Sequence, residues 1–598
     1  MYKDSGMYRD YDMYRYNGRS WLSRLFFLLV SLQLVACTND YIPISEIVMG
    51  VPIGQCPGVE MAATCGNGVC DAHRLETADT CPYDCTNYSV SNNSKSVICA
   101  QTQSYDEPTS LQELGLAVAT AVDTGKRIKV TGTHHSYNEI ICGDGATIST
   151  ASLDQVFGMT DDIVYVEPGV KIGQLADYLH EQDKSVGLAH IGFRGITVAG
   201  SIGTSAHGSG ISSSSVLADK VVSMKVMGPD GQIVSYSAET TEPDRWRALL
   251  TNLGMLGIVV EIGIQTEEQF NLDTLATIDT EDNLLNGDGV LAMAAGCDFF
   301  QVNWMPYSDT IIRWCGQATQ ASTTSNGDVT EQGRNGLLGG LETSIPGIAR
   351  EMFHLSACHA KAAVFLEKQG KSRFIKDNKP MVLVKTIAGD DQLTDRALGY
   401  SHKIVSADYS IPGGPYGDAS KTLLTYDWEV AVPQQHIQGA LNYVNNRFVS
   451  GDPDLEESGY NVLNRSLPPI GMFLRFSTIN GGGLIGYNSA SSEFKLGEVA
   501  MFLEIPAAMP FGFSAEERAA YNRFFVDTMK GLIDNFGARV HWGKNNYELM
   551  SYQIDAGIFS EELEKFRAEV LAVDPYGVFG SDLSDVLGVE YLEDVGGI

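Results

Sequence analysis

Residues 197–210 read TVAGSIGTSAHGSG, a run in which glycines alternate with small hydroxyl side chains. Such a run lets the backbone pack closely against a large planar or pyrophosphate ligand, because glycine has no side chain to hold that ligand away. A flexible Gly/Ser linker has a similar composition, but Val198, Ala199 and Ile202 are apolar and favour a loop that is anchored to a core. We therefore predict an ordered ligand-binding loop.

Three further motifs lie upstream and downstream of this loop. Residues 130–136 read VTGTHHS, in which a glycine turn follows a predicted strand and exposes backbone N–H groups that could cradle a phosphate. Residues 253–259 read LGMLGIV, a turn that leads into a second predicted strand. Residues 540–544 read VHWGK, where a histidine, an aromatic residue and a lysine are adjacent. Taken alone, residues 130–136 would be more simply a surface loop with incidental histidines.

Together and in this order, the four motifs resemble the FAD-binding domain of the vanillyl-alcohol-oxidase superfamily, also called PCMH-type. The sugar-lactone and alditol oxidases are the most similar branch. The resemblance runs from about Pro108 to Gln265 and resumes weakly from about Phe299 to Lys544. The family pattern G-x-G-H-S matches residues 132–136, with His134 in place of the middle glycine.

The resemblance implies FAD as the cofactor. In covalent members of the family the histidine before the serine bonds the flavin 8α-methyl group, and here that residue is His135. Relatives with a second, cysteinyl bond carry the cysteine where this chain has Gly195, so a single link is expected. Gly192 lies near the family position that controls access of O2, where a small residue would leave room for it. The residues expected to contact FAD are Gly132, Thr133, His134, His135, Ser136, Gly192, Gly200, Ser201, Gly203, Thr204, His207, Gly208, Gly210, Gly257 and Ile258.

The resemblance also implies catalytic residues in the second half of the chain. Lys544, Arg475 and His541 are expected beside the flavin, where a cation would stabilise negative charge that develops on the ring. The family's Glu-x-Arg pair falls on residues 473–475, where Arg475 matches but Phe473 stands in place of the glutamate. This departure predicts weak activity on small polyols and aldonolactones, and better activity on substrates with an apolar or bulkier group.

The hydrophobic periodicity predicts an α+β protein. It indicates helices over residues 172–182, 434–446 and 515–536, a hairpin over 220–236, and strands that include 428–432, 471–476 and 498–505. With the resemblance, residues 100–268 are expected to form a PCMH-type FAD-binding domain of two α/β subdomains. Residues 269–598 are expected to form an α+β substrate (cap) domain with an antiparallel sheet, whose HWGK segment returns to the flavin.

The N-terminal region is predicted to be a signal peptide, residues 1–37, and a small Cys-rich module with a linker, residues 38–99. Leu25–Cys37 is an apolar run that fits a signal peptide and is short for a membrane span. Its end, LVAC, resembles a bacterial lipobox with Cys37 as the lipid carrier, and an ordinary signal cleaved near Ala36 is the alternative. Six of the 11 cysteines lie between Cys56 and Cys99, where disulfides are favoured over zinc because paired C-x-x-C motifs are lacking. The protein is thus expected to be exported, either secreted or lipid-anchored to the cell surface or periplasmic membrane.

The composition limits the partners. The 598 residues include 41 Lys and Arg against 74 Asp and Glu, a net charge of −33 that argues against binding nucleic acid or an anionic membrane through a basic face. The predicted function is an FAD-dependent oxidase that oxidises a CH–OH group of a sugar-derived lactone, alditol or related carbohydrate and reduces O2 to H2O2. A flavin dehydrogenase with another acceptor, and a non-catalytic surface binding protein on a degenerate flavin fold, are the alternatives.

Two other patterns are predicted to carry no cofactor. Residues 481–486, GGGLIG, fit G-x-G-x-x-G, but the sequence that follows is typical of turns and a Rossmann site requires a helix there. His354, Cys358 and His359 could ligate a metal, but one face of a helix is the simpler account. No metal site is therefore predicted.

Overall fold

The computed structural model describes residues 90–93, 96–99, 102–189, 193–286, 289–329, 375–376, 379–380, 382–386, 388, 391–405, 423–448, 471–510 and 515–593. Its strands are β1 (Val90–Ser91), β2 (Ile98–Cys99), β3 (Ser104–Asp106), β4 (Ile128–Thr131), β5 (Ala146–Ser149), β6 (Val156–Thr160), β7 (Ile163–Val166), β8 (Lys184–Ser185), β9 (Val221–Met227), β10 (Ile233–Ser237), β11 (Ile258–Gln265), β12 (Glu267–Glu268), β13 (Asn271–Asp279), β14 (Phe299–Met305), β15 (Thr310–Thr319), β16 (Ser325–Val329), β17 (Ile375–Lys376), β18 (Lys379–Pro380), β19 (Val382–Thr386), β20 (Asp391–Thr394), β21 (Arg396–Tyr400), β22 (Leu423–Val432), β23 (Met472–Thr478), β24 (Val499–Pro510) and β25 (Arg539–Val540).

The α-helices of the same ranges are α1 (Leu111–Asp123), α2 (Ile172–Glu181), α3 (Val198–Gly203), α4 (Pro243–Leu249), α5 (Glu281–Asn286), α6 (Val290–Met293), α7 (Ser401–Ile404), α8 (Ile437–Phe448), α9 (Ala515–Phe536), α10 (Tyr547–Asp555), α11 (Ser560–Val573) and α12 (Asp582–Val586). The predicted signal peptide, the cysteines Cys56, Cys65, Cys70, Cys81 and Cys85, and the group His354, Cys358 and His359 lie outside the described residues. The predicted domain boundaries remain predictions.

The first part of the FAD-binding region is a small parallel sheet with the strand order β3-β5-β4. Helix α1 connects β3 to β4 and begins at Ser110, whose side chain accepts a hydrogen bond from the Glu113 N–H. Leu114 and Val118 of the helix are buried in one core with Ile148 of the sheet. The prediction of an α/β unit is confirmed here, and its edge strand β4 ends at Thr131, within the VTGTHHS motif.

The second part is a five-stranded sheet with the order β10-β9-β11-β7-β6, and all of its pairs are antiparallel. The predicted hairpin over residues 220–236 is confirmed as β9 and β10. The expectation of two α/β subdomains is therefore corrected, because only the first sheet is parallel. Antiparallel pairing follows from the tight turns, such as Asp161-Asp162 between β6 and β7, which are too short for a crossover helix.

The third sheet has eight strands in the order β21-β13-β15-β14-β23-β24-β22-β25, all antiparallel, and it confirms the predicted antiparallel sheet of the second half. Alternate residues point to opposite faces of a strand. On one face Val430, Leu474 and Leu503 are fully buried, and Trp428 stacks on Phe525 of α9 with ring centroids 5.8 Å apart. The opposite face carries charged residues, and it forms one wall of the site described below.

Two disulfides occur in the described residues. Cys99, which the sequence placed at the end of the Cys-rich module, pairs with Cys142 in the FAD-binding region. Cys297 pairs with Cys315 and joins the start of β14 to β15. In the described part of the chain, no helix combines the length and the apolar character needed to cross a membrane.

Candidate active site

A long, partly open cavity lies between the FAD-binding region and the charged face of the eight-stranded sheet, and its walls extend from the 130–136 turn to Lys544. All four motifs contribute to its wall although they are far apart in the chain. The predicted site residues that line it are Gly132, Thr133, His134, His135, Ser136, Gly200, Gly203, Thr204, His207, Gly257, Arg475, His541 and Lys544.

Five predicted cofactor residues are not placed in this wall. Gly192 lies outside the described residues. The N–H groups of Gly208 and Gly210 donate hydrogen bonds to the carbonyl oxygens of Ser215 and Phe476, at 2.7 and 2.8 Å respectively. Ser201 and Ile258 are not among the lining residues and are buried in the protein. Ser201, Gly208 and Gly210 anchor the glycine-rich segment, and Ile258 anchors strand β11. A glycine-rich segment has two sides, and only one of them can face a ligand.

Glycine is required at three points of the wall. A Cβ atom at Gly132 would lie 2.3 Å from the Thr197 Oγ1 atom, and one at Gly200 would lie 2.8 Å from the same atom. Gly257 has φ +101°, and a Cβ atom there would meet the Met227 carbonyl oxygen at 2.6 Å. At these points the backbone packs directly against the Thr197 side chain or against another backbone segment. A cradle of this construction fits FAD, with the 132–136 turn and α3 available for its phosphates and rings.

The two histidines of the first motif have different surroundings. His134 has φ +56° and its Nε2 atom lies 3.1 Å from the Thr131 Oγ1 atom, so its ring is held back against its own strand. The ring of His135 faces Phe193, with centroids 6.0 Å apart. Burial, followed by the neighbouring His134, lowers the pKa of His135 to about 4. The His135 ring is therefore neutral near pH 7 and has a free electron pair, as a nucleophile requires.

Lys544 is surrounded by three buried carboxylates. Its Nζ atom lies 2.9 Å from Asp427 Oδ2, 2.8 Å from Glu429 Oε2 and 3.1 Å from Glu504 Oε1. An ammonium group has three donors, so these contacts use all of them. Lys544 therefore stands at the cavity wall as a fixed positive charge, held by the sheet behind it.

The charge cluster extends to both sides of Lys544. The other oxygen of Glu429 is 2.8 Å from His207 Nε2, and the other oxygen of Glu504 is 2.5 Å from Arg475 NH1. Burial alone would raise the pKa of each glutamate. Lys544 and His207 instead hold the pKa of Glu429 well below its usual value. Arg475 and Lys544 lower the pKa of Glu504. Burial and then Glu504 raise the pKa of Asp427 well above its usual value.

The HWGK segment is fixed by amide side chains and by a loop. Asn138 donates to the Trp542 carbonyl at 2.8 Å and also to that of Lys544, which joins the segment to the first motif. Asn545 donates to the Glu429 carbonyl at 2.7 Å. The Trp542 indole donates to the Ile485 carbonyl at 2.6 Å, so the GGGLIG stretch acts as a support, and turns rather than a helix follow it.

His541 is buried by this arrangement and lines the cavity. Its Nδ1 atom accepts a hydrogen bond from the Gly543 N–H at 2.9 Å, and burial lowers its pKa to about 3. The imidazole is therefore neutral at physiological pH. His207, Glu429 and His541 place ligand atoms within 4.8 Å of one another. Because Lys544 already contacts Glu429 and Gly543 already contacts His541, we assign this trio to the charge cluster.

Sequence reasoning missed the carboxylates. Asp427 and Glu429 lie in the strand YDWEVAV and Glu504 lies in the strand MFLEIP, where acids alternate with apolar residues. A buried strand rarely carries charge without a partner. That alternation was the available signal, but it did not identify their partner, Lys544, which lies at least 40 residues further along the chain.

The comparisons with known proteins agree with this geometry. Residues 102–237 match the family described as FAD binding domain. The fold resembles that of a cholesterol oxidase from B. sterolicum, with a TM-score of 0.60 and 14% identity over 83% of this chain and 96% of that one. Residues 102–237 thus match an FAD-binding domain, as the motifs predicted.

Relatives in sequence are the sugar-lactone oxidoreductases, at a distance. L-gulonolactone oxidase of Mus musculus is 31% identical over 211 residues, which are 35% of this chain and 46% of the relative. L-gulono-1,4-lactone dehydrogenase of Mycobacterium tuberculosis is 28% identical over 215 residues, 34% of this chain and 46% of the relative. The matched segment spans less than half the length of these two relatives.

Proposed function

We propose that the protein is an FAD-dependent oxidase that oxidises a CH–OH group of a sugar-derived lactone, alditol or related carbohydrate, with O2 as acceptor and H2O2 as product. The observation that carries this proposal is the position of Lys544 and Arg475, two cations that line the same cavity as the glycine-rich turns. The distant similarity to L-gulonolactone oxidase supports the substrate class.

Bound FAD would supply the two-electron acceptor for hydride from the carbinol carbon. Side chains of this protein would bind the substrate, stabilise the developing charge and accept the proton. Arg475 can fork to two substrate oxygens, and Lys544 offers a fixed positive charge where negative charge develops. His541 stays neutral and can orient the hydroxyl group. A base would take the hydroxyl proton as the hydride leaves, and His541 is the predicted catalytic residue that is neutral and lines the cavity.

The cofactor link is proposed to be covalent through His135. Both histidines of the first motif line the cavity, but His134 is engaged by Thr131 while His135 is neutral and faces Phe193. The absence of a cysteine at Gly195 supports a single bond. The Gly195 carbonyl instead accepts a hydrogen bond from the Thr133 hydroxyl at 2.8 Å.

The proposal is tested by the purified protein's absorption spectrum and by peroxide release with a panel of lactones, alditols and glycosides. A yellow protein that a substrate bleaches without air and that releases peroxide in air is expected. Lys544→Met should retain flavin and lose turnover. A colourless wild-type protein that folds and binds carbohydrate would support the alternative, a binding protein on a degenerate flavin fold.

A dehydrogenase is the second candidate, favoured by the similarity to the mycobacterial L-gulono-1,4-lactone dehydrogenase. An oxidase and a dehydrogenase are distinguished by the acceptor that reoxidises the reduced enzyme. An oxidase reoxidises with O2 at a rate that sustains turnover, whereas a dehydrogenase needs an artificial electron acceptor and releases little peroxide. The same panel, read with O2 and with a dye acceptor, decides between them.

Phe473 is proposed to form an apolar wall of the substrate pocket. Its ring lies 5.7 Å from the Arg475 guanidinium carbon, on the charged face of the sheet. Glycosides with an apolar or bulky group should therefore be better substrates than small polyols. Phe473→Ala should reduce this preference, whereas the exposed Leu496→Ala variant should leave it unchanged. Equal efficiency of wild type on both substrate groups would contradict this part of the proposal.

Export is proposed as well. The two disulfides, Cys99–Cys142 and Cys297–Cys315, are typical of an oxidising compartment. Secretion and lipid attachment at Cys37 are distinguished by the mass of the mature N-terminal peptide, which would carry acyl chains only in the second case.

A further inference from the structure

A short hairpin at the start of the described chain packs against the histidine turn of the cavity wall, residues 132–136. This N-terminal hairpin comprises residues 90–93 and 96–99, in which β1 pairs antiparallel with β2. Three of its side chains are buried in the same core as strand β7 of the FAD-binding region. The match to the FAD binding domain covers residues 102–237, so the hairpin precedes the matched segment.

The hairpin donates hydrogen bonds to the histidine turn on both sides of His135. The backbone N–H of Asn93 donates to the His134 carbonyl at 2.9 Å. The side-chain amide of Asn92 donates to the Ser136 carbonyl at 3.0 Å. His135, which lines the cavity, therefore stands between two peptide carbonyls that the hairpin holds.

The hydrogen bonds of the Asn92 amide fix its orientation. Its Oδ1 atom accepts from the Val97 N–H at 3.1 Å, and an N–H group can only donate. The two N–H groups of the amide are then directed to the Ser136 carbonyl and the Ser96 hydroxyl, both at 3.0 Å. Asn92 is only 1% exposed, so a carbonyl that lost this donor would be left buried without it.

The histidine turn needs support because one of its residues has an unfavourable backbone conformation. His134 has φ +56°, in the left-handed region that a residue with a side chain adopts at a cost. Such a conformation persists where the surrounding structure holds it in place. Asn93 holds the carbonyl of His134, and the Thr131 Oγ1 atom lies 3.1 Å from its ring nitrogen.

The Cys99–Cys142 disulfide fastens the base of the hairpin. Cys142 directly follows the 3₁₀ turn Glu139–Ile141, which begins after Asn138. The segment that continues from the histidine turn thus leads directly to Cys142. The hairpin therefore holds this segment twice, by hydrogen bonds at its tip and by a covalent bond at its base.

We infer that the N-terminal hairpin is a clamp on the cofactor site, in which Asn92 is a positioning residue that holds the histidine turn in the conformation that receives FAD. The Cys99–Cys142 disulfide secures the clamp, so reduction of this disulfide should weaken FAD binding. The inference rests on the proposed function, because it requires FAD to occupy the cavity. The conformation of the turn can nevertheless be followed in protein without FAD.

The first test removes the hydrogen-bond donor and keeps the shape of the side chain. Asn92→Asp retains an oxygen for the hairpin but turns a carboxylate oxygen toward the Ser136 carbonyl oxygen. The matched control is Asn271→Asp, which removes an amide hydrogen bond to the Ala321 carbonyl at 2.9 Å in the eight-stranded sheet. Both substitutions are made in wild type and in His135→Ala, from which FAD can be removed and added back.

Two readouts are compared. Amide hydrogen exchange of the peptide that contains residues 132–137 should speed up severalfold in Asn92→Asp without FAD. The dissociation constant for FAD, measured by titration in the His135→Ala background, should rise about 10-fold, as expected for a buried carbonyl left without its donor. Asn271→Asp should change neither the exchange of this peptide nor the affinity for FAD.

The second test opens the base of the hairpin. Cys99→Ser/Cys142→Ser should also weaken FAD binding severalfold, whereas Cys297→Ser/Cys315→Ser, which removes the other described disulfide, should leave the affinity for FAD unchanged. This comparison also decides the question if Asn92→Asp does not fold. Equal affinities of the two disulfide variants would contradict the clamp.

Unchanged exchange of the turn and unchanged FAD affinity in Asn92→Asp would overturn the inference. Exchange that rises equally in peptides of the eight-stranded sheet would overturn it too, because it would show a general loss of stability. A wild-type protein that binds no FAD would instead contradict the proposed function, and the exchange of the histidine turn would still test the clamp.

Discussion

Glu429 and Lys544 form a buried ion pair, with the Oε2 atom 2.8 Å from Nζ, and no part of the Glu429 side chain is exposed. The second oxygen of Glu429 contacts His207, so this one residue joins the HGSG segment of the FAD-binding region to the HWGK segment. The pair connects the two halves of the cavity. Its removal should lower both the stability and the activity of the protein.

Glu429→Gln should lower the free energy of unfolding by about 3–5 kcal/mol, because it leaves a buried lysine without one of its partners. Urea denaturation at pH 7 measures the change. The matched control is Glu548→Gln, which removes an ion pair with Lys530 at 2.6 Å where 59% of the glutamate side chain is exposed. That variant should lose less than about 1 kcal/mol. Equal losses in the two variants would contradict the assignment of Glu429 to a buried network.

His135→Ala should abolish covalent flavin, whereas His134→Ala should retain it. The reason is that His135 is neutral and faces the cavity, while His134 is held by the Thr131 hydroxyl. Flavin fluorescence of acid-precipitated protein, and the mass of the peptide that contains both histidines, measure the link. Covalent flavin that persists in His135→Ala and disappears in His134→Ala would transfer the role to His134.

The buried His541 should make the protein less stable in acid. Its folded-state pKa of about 3 lies below the value near 6.5 of an exposed histidine, so the unfolded chain binds a proton between these values and the folded chain does not. Stability therefore falls as the pH drops from about 6.5 toward 3. Between pH 7 and pH 5 this group should contribute a loss of about 2 kcal/mol.

The measurement is the free energy of unfolding at pH 7 and pH 5 for wild type, His541→Gln and, as a control, His436→Gln, whose side chain is 39% exposed. His541→Gln should be less stable at pH 7 but should lose about 2 kcal/mol less than wild type on acidification. If wild type and His541→Gln lose the same free energy of unfolding between pH 7 and pH 5, His541 is protonated in the folded state at pH 5.

The two disulfides should stabilise the fold to different extents. Cys99 and Cys142 are separated by 43 residues and Cys297 and Cys315 by 18, and a longer closed loop restricts the unfolded chain more. Replacing both cysteines of a pair by serine should cost roughly 4 kcal/mol for the first and roughly 3 kcal/mol for the second. Thermal and urea unfolding measure both. Free thiols at these four positions in the purified protein would contradict the pairing.

Local sequence patterns determined the secondary structure and the cofactor class. The predicted helix over residues 515–536 is α9 with the same limits, and the hairpin over 220–236 is present. The four motifs predicted an FAD-binding domain from short runs of consecutive residues. The contacts that require glycine at positions 132 and 257 come from Thr197 and Met227, which only the fold brings close.

Only the tertiary structure decided the composition of the charge cluster. Asp427 and Glu429 come from β22 and Glu504 from β24, and they meet Lys544 because strand register places them on one face. Register between strands some 75 residues apart depends on the packing of the whole sheet, and no short pattern specifies it. The sequence alone therefore showed Phe473 where the resemblance implies a carboxylate, whereas the folded sheet places Glu504 directly across the strand pair from it.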